Sequence, residues 1–184
     1  MPIMNVRYRA GDLDRTRKAD LAKRLTDVMI RMEGGASTWG GRAFAWVLFD
    51  EHGEDDWWAG GETGNTYVSA PGRFLVHVSI PEGYMNGAQK SDVQAWVTGA
   101  ILSATGATGE PGKSVQVIID EIPEGHWAAA GKTISLANIA DSVGLSKTSD
   151  RFAWSTSYFA AKARDRAAAG YPKDLGGLWP EPAG

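Results

Sequence analysis

Apolar and polar positions along this chain recur with periods that divide it into short strands and amphipathic helices. Ile3, Met4, Val6 and Tyr8 belong to an opening apolar strand. Leu21, Leu25, Val28, Met29 and Met32 follow at the three- and four-residue spacing of one buried helix face. Asp12 or Asp14 supplies a start for that helix, and Gly34-Gly35 a stop. The run FAWVLF at 44–49 is apolar at every position, which predicts a strand covered on both faces and closing in Asp50-Glu51.

The second half repeats this plan. FLVHVSI at 74–80 reads as a strand. Val93, Trp96, Val97, Ala100, Ile101 and Ala104 mark a helix face with Asn86 as its cap, and VQVII at 115–119 is a strand that again closes in an acidic pair, Asp120-Glu121. Glu51 and Glu121 are 70 residues apart, as are Trp57 and Trp127, whereas the first strands of the halves are offset by 72. Two tandem βαβ units account for these offsets. Each crossover makes its two strands parallel and sets the helix on one face. The expected fold is α+β, a four-stranded sheet with two helices on one side and the other face bare and apolar. A bare apolar patch of that size implies oligomerisation.

The chain therefore reads as a single domain: a first unit over 2–61, a linker over 62–72 holding a short strand at 66–69, a second unit over 73–131, and an extension over 132–184. Short and longer helices are expected in the extension at 134–140 and 149–166, with the alanine-rich stretch 160–169 solvated. The final YPKDLGGLWPEPAG is expected to pack through Trp179 or fray.

Composition narrows the chemistry. The absence of cysteine excludes disulfides, thiolate metal sites and cysteine nucleophiles. A net charge of −3 gives no nucleic-acid footprint. With no run of 18 apolar residues and no signal-peptide pattern, a cytoplasmic protein without membrane contact is expected. His52, His77 and His126 stand far apart, away from metal-ligand spacing, and GGETGN lacks the lysine of a phosphate loop, so neither metal nor cofactor is expected. Pro2 remains. Removal of Met1 exposes a secondary amine at the mouth of a strand, and burial of that amine disfavours its charged form. A neutral amine near pH 7 is a general base and then a matched acid.

Several runs resemble the tautomerase superfamily: PIMNVRY at 2–8, IPEGY at 80–84, and above all SVQVIIDEIPEGHWAAAGK at 114–132. The last is similar in wording and spacing to the second strand and following turn of 4-oxalocrotonate tautomerase. The overall plan resembles the fused two-unit members of the cis-3-chloroacrylic acid dehalogenase type. The resemblance covers about residues 2–140 and implies that Pro2 is the catalytic proline, with Phe74 in its place in the second unit. The family's carboxylate-binding arginine on the second strand falls at Trp46 and Gln116, and its other arginine falls at Asp12 and Tyr84. The aromatic wall falls at Trp57 and Trp127. The dehalogenase histidine, tyrosine and water-activating glutamate fall at Met29, Ile118 and near Ala129, so hydrolytic dehalogenation is not expected.

The leading expectation is keto–enol proton transfer by Pro2 on a small carbonyl or keto-acid compound, in a homotrimer. Arg73, Gln116 or Tyr84 would stabilise the enolate oxygen, His126 is a further donor, and Trp57 and Trp127 would exclude water. Arg42 and Arg7 are further candidate cations beside the preferred Arg73. An iminium-forming decarboxylase or aldol-type or dehalogenase-like enzyme of the same superfamily, and a non-catalytic binding or assembly module of the fold, are the alternatives.

Overall fold

The computed structural model describes residues 2–34, 37–142 and 144–171. The expected packing of Trp179 and the Gly35 half of the helix stop lie outside them. Strand β1 (Ile3–Arg9) is followed by helix α1 (Arg15–Met32), a six-residue helix α2 (Trp39–Phe44) and strand β2 (Trp46–His52). Strand β3 (Phe74–Pro81), helix α3 (Gly87–Thr105) and strand β4 (Val115–Ile122) form the second unit. Beyond it come a two-residue hairpin, β5 (Ala128–Ala129) with β6 (Lys132–Thr133), and the helices α4 (Leu136–Ser142) and α5 (Asp150–Ala168).

Local chemistry explains the helix boundaries. The Asp14 carboxylate accepts the Arg17 N–H at the start of α1. Asn86 and Gln89 form a reciprocal capping box on α3, and Gly106 closes it in the left-handed conformation. Ser149 accepts the Phe152 N–H and caps α5. The linker differs from expectation: 66–69 is turn and irregular backbone, not strand. The Arg73 guanidinium gathers that linker by donating to the carbonyls of Thr63 and Gly64 and to Asn65 Oδ1.

The sheet order is β2-β1-β3-β4, with β1 parallel to β2, β3 parallel to β4, and the central pair antiparallel. Register confirms the internal repeat. Ile3 opposite Ser79 has its counterpart in Leu75 opposite Arg7, and Ile3 beside Trp46 has its counterpart in Leu75 beside Gln116. A pseudo-twofold axis therefore runs between β1 and β3. Met4, Val6, Tyr8, Phe74, Val76, Val78 and Ile80 meet Leu21, Leu25, Met29, Val93, Val97 and Ile101 in one core between the sheet and the helix pair α1 and α3. Trp96 lies at the edge of that core, with the Arg31 guanidinium 3.8 Å from its ring centroid.

The opposite sheet face is mixed, not uniformly apolar. Trp46, Leu48 and Ile118 are 56%, 48% and 41% exposed on its outer strands. Between them the central strands carry Asn5, Arg7, His77 and Ser79, with Arg7 paired to Asp50 at 3.6 Å and His77 to Asp120 at 2.7 Å. Asn5 Oδ1 and Arg7 Nε are buried without a hydrogen-bond partner. No helix among the described residues is long and apolar enough to cross a membrane.

Candidate active site

The antiparallel central pair gives the sheet two pseudo-equivalent ends. Pro2, which precedes Ile3, is buried at the first, beside the exit of β3, and its carbonyl accepts the Trp46 N–H at 3.4 Å. The turn 82–85, the segment 123–127, the close of α1 and the helices α4 and α5 of the extension gather at this end. The second end holds Arg73 at the entry of β3 beside Tyr8 and Asp12. From Ile3 to Tyr8 the strand covers about 17 Å, at roughly 3.3 Å per residue.

That geometry divides the residues expected to form one site. Pro2, Tyr84, His126 and Trp127 belong to the first end. Arg73, Gln116 and Trp57 belong to the second, since Gln116 registers with Leu75 and Trp57 packs edge-on against His52 at 5.6 Å. Arg73 stands immediately before the strand next to β1, as expected, but antiparallel pairing carries that strand's start to the far end of β1. It is 3% exposed and borders a cavity of about 280 Å³ shared with Arg9, Asp12 and Val68. Burial raises the Asp12 carboxyl there against the opposing pull of Arg9 and Arg73. Arg42 is held by Ser37 and Asp27, and Arg7 lies on the open sheet face.

At the Pro2 end, Tyr84 is 2% exposed, and its hydroxyl donates to the Glu33 carbonyl at 3.0 Å. Burial pushes that phenol far above its ordinary range. It is thus a packed group whose donor is already engaged. His126 is exposed, and Trp127 is half-buried against the core.

The structure adds residues that hydrophobic periodicity does not single out. Both β3 and β4 end in Ile-Pro-Glu-Gly, at 80–83 and 122–125, and parallel pairing brings the two glutamates together. Glu82 accepts from the Glu124 N–H at 3.3 Å, from the Tyr158 hydroxyl at 3.0 Å and from Lys162. Burial works against its charge, yet the hydrogen bonds from Lys162 and Tyr158 prevail and hold its carboxyl below the ordinary value. Glu124 accepts the Leu136 N–H at 2.8 Å, but burial, reinforced by the Glu82 charge, lifts it to about 7. The repeated tetrapeptide was the available signal. Periodicity alone reads it as two turns.

A pH dependence of stability follows. Glu124 binds its proton more tightly folded than unfolded, so its contribution favours the native state up to the ordinary carboxyl range. That contribution declines as pH rises from about 4.5 to about 7. Thermal melts across this window should show a decline that Glu124→Gln flattens. An unchanged decline in the variant would contradict the assignment.

Comparison with known proteins agrees with this architecture. The family profile of the tautomerase enzymes matches residues 75–137. A probable tautomerase of Ralstonia nicotianae is 38% identical over 64 residues, which is 34% of this chain and 84% of that protein. A fused 4-OT described as a wild-type symmetric trimer superposes with a TM-score of 0.58 at 22% identity, covering 74% of this chain and 97% of the other. N1, a member of the cis-3-chloroacrylic acid dehalogenase family, gives 0.57 at 25% identity, with coverage of 72% and 82%. With its paired βαβ units, its pseudo-twofold sheet and its sequence match across the second unit, this chain belongs to the tautomerase superfamily.

Proposed function

We propose that this protein transfers a proton between oxygen and carbon of a small enol or α-keto acid, with the Pro2 amine as base and then acid. The observation that carries the reading is the burial of Pro2 at the head of β1, beside the exit of β3 and the close of α1. After removal of Met1 the nitrogen is a secondary amine, and its burial disfavours the charged form and lowers its pKa from the reference of about 8. The neutral amine takes the enol O–H proton. The electron pair moves to make the C=O bond, and the former alkene carbon receives the proton from the ammonium. No net atom is gained or lost, and the amine is regenerated. Trp127 and the packed turn keep water from the ammonium.

The assembly proposed is a homotrimer in which the open sheet faces cover one another. Half-exposed Trp46, Leu48 and Ile118, together with the buried Asn5 Oδ1 that has no hydrogen-bond partner, support it, as does the trimeric fused 4-OT. A substrate-binding role for Arg73, Gln116 or Trp57 at Pro2 then requires a neighbouring copy, because within one chain they lie at the other end of the sheet.

Two measurements test the reading. Intact-mass spectrometry of active protein should show Met1 absent, since a methionyl-capped proline is an amide. The rate of phenylenolpyruvate ketonisation should rise with pH through one ionisation below the reference amine value. A profile that tracks a carboxylic acid, or activity in protein that retains Met1, would refute proline catalysis.

A further inference from the structure

We infer that Arg151, supplied by the C-terminal extension, is the residue that binds the carboxylate of a small 2-keto or 2-enol acid at the Pro2 end of the sheet. The inference deepens the proton-transfer reading and rests on it for the substrate class. The extension is docked firmly on the turn 82–85. Ser155 Oγ donates to the Gly83 carbonyl at 3.0 Å, Tyr158 and Lys162 reach Glu82, and Phe159 is buried beside the turn. Gly83 has φ +70°, and a Cβ there would lie 2.4 Å from the Tyr158 ring, so the turn and α5 fit only with glycine.

This docking fixes Arg151, in the first turn of α5, with its guanidinium 5.0 Å from the Tyr84 ring centroid. The ring is buried and its hydroxyl is engaged by Glu33, so its face serves as a platform for the cation. Arg151 Nη1 is fully buried and has no hydrogen-bond partner. A guanidinium presents five donors in a planar fork, and a buried charged donor without an acceptor is costly. Burial depresses the Arg151 pKa, while Tyr84 and the Glu33 charge act in the opposite direction. Three other cations at this end are ion-paired, Lys162 with Glu82, Lys90 with Glu121, and Arg42 with Asp27, and Arg31 lies over the Trp96 ring. A planar carboxylate is the ligand group that completes such a fork, and bidentate pairing would hold the acid at the end of the sheet where Pro2 lies.

The test uses the full chain and 3-phenylpropionate, a carboxylate that cannot enolise to the ketone product. Calorimetric titration should show binding by the wild type, at least tenfold weaker binding by Arg151→Met, and an intermediate value for Arg151→Lys. Methionine keeps an apolar stem on Tyr84 but removes a charge that faces the buried Glu33 carboxylate, so circular dichroism and thermal melts of Arg151→Met accompany the titration, which is run where the variant is fully folded. Kinetically, Arg151→Met should raise KM for phenylenolpyruvate more than it lowers kcat. It should lower kcat/KM for the enol of phenylacetaldehyde, which has no carboxylate, far less than kcat/KM for phenylenolpyruvate. Protein acetylated at Pro2 should still bind 3-phenylpropionate. If it binds while activity persists, the base assignment fails and the carboxylate site stands. Wild type that does not bind, or Arg151→Met that binds equally well, overturns the inference.

Discussion

Acetylation of the mature Pro2 nitrogen is expected to abolish ketonisation, with a loss on the order of a thousandfold or more. An amide nitrogen has delocalised its lone pair into the carbonyl and can neither accept the enol proton nor return one. General acid–base catalysis is typically worth about 10²–10⁴-fold, and here both halves of the transfer fall to one atom. Pro2→Ala preserves an amine but gives up the ring that holds it in place, so a smaller loss is expected. The profile of that variant should still rise with pH through a single ionisation. Trp127→Ala, by admitting water, should move the ionisation back toward about 8, the reference value for an α-amine. Rates, pH profiles and intact masses should be measured on the same samples. Full activity in quantitatively acetylated protein would end the proposal of proline catalysis.

Charging the open sheet face should dissociate the assembly. Trp46 and Leu48 project from β2 on the side away from α1 and α3, half-exposed in the isolated chain. The double variant Trp46→Asp, Leu48→Asp costs the monomer little, because neither side chain belongs to its core. In a closed trimer the same carboxylates are desolvated without partners, at roughly several kcal/mol in total. Light scattering should therefore report a fall from three chain masses to one, with the circular dichroism of the fold retained. A wild type that is monomeric at micromolar concentration, or a variant that stays trimeric, contradicts the proposed use of this face.

The C-terminal extension joins these expectations to the fold. Its helix α5 closes over the turn after β3 through Ser155, Tyr158 and Phe159, and it delivers Arg151 and Lys162 to the end that holds Pro2. The expected solvated character of 160–169 holds for Ala160, Arg164 and Asp165, which are exposed. It does not describe Lys162, which is drawn down onto Glu82. An alanine-rich composition describes the outer face of such a helix. It does not reveal which buried carboxylate a single lysine will meet.

Periodicity in the sequence was sufficient for the four long strands, the helices α1 and α3 and their repeat, though not for α2 or the β5–β6 hairpin. A helix face needs only apolar residues three and four apart, and a strand needs only a short apolar run, both local properties of the chain. The offsets of 70 and 72 residues, and hence the pseudo-twofold register, are likewise legible as simple spacing. Which end of the sheet each residue occupies is not local. Arg73 and Pro2 each immediately precede one of two neighbouring strands, and only the antiparallel sense of that pairing separates them. The coupling of Glu82 to Glu124, the engagement of Tyr84 by Glu33, and the arrival of Arg151 over Tyr84 join residues 42, 51 and 67 positions apart. Such contacts depend on how the units and the extension pack, and burial then sets the protonation of the groups they bring together. The sequence therefore determines the sheet, the helices and the proline at the head of β1. The tertiary structure decides which charges surround that proline, because desolvation and pairing are properties of packed neighbours and not of the chain.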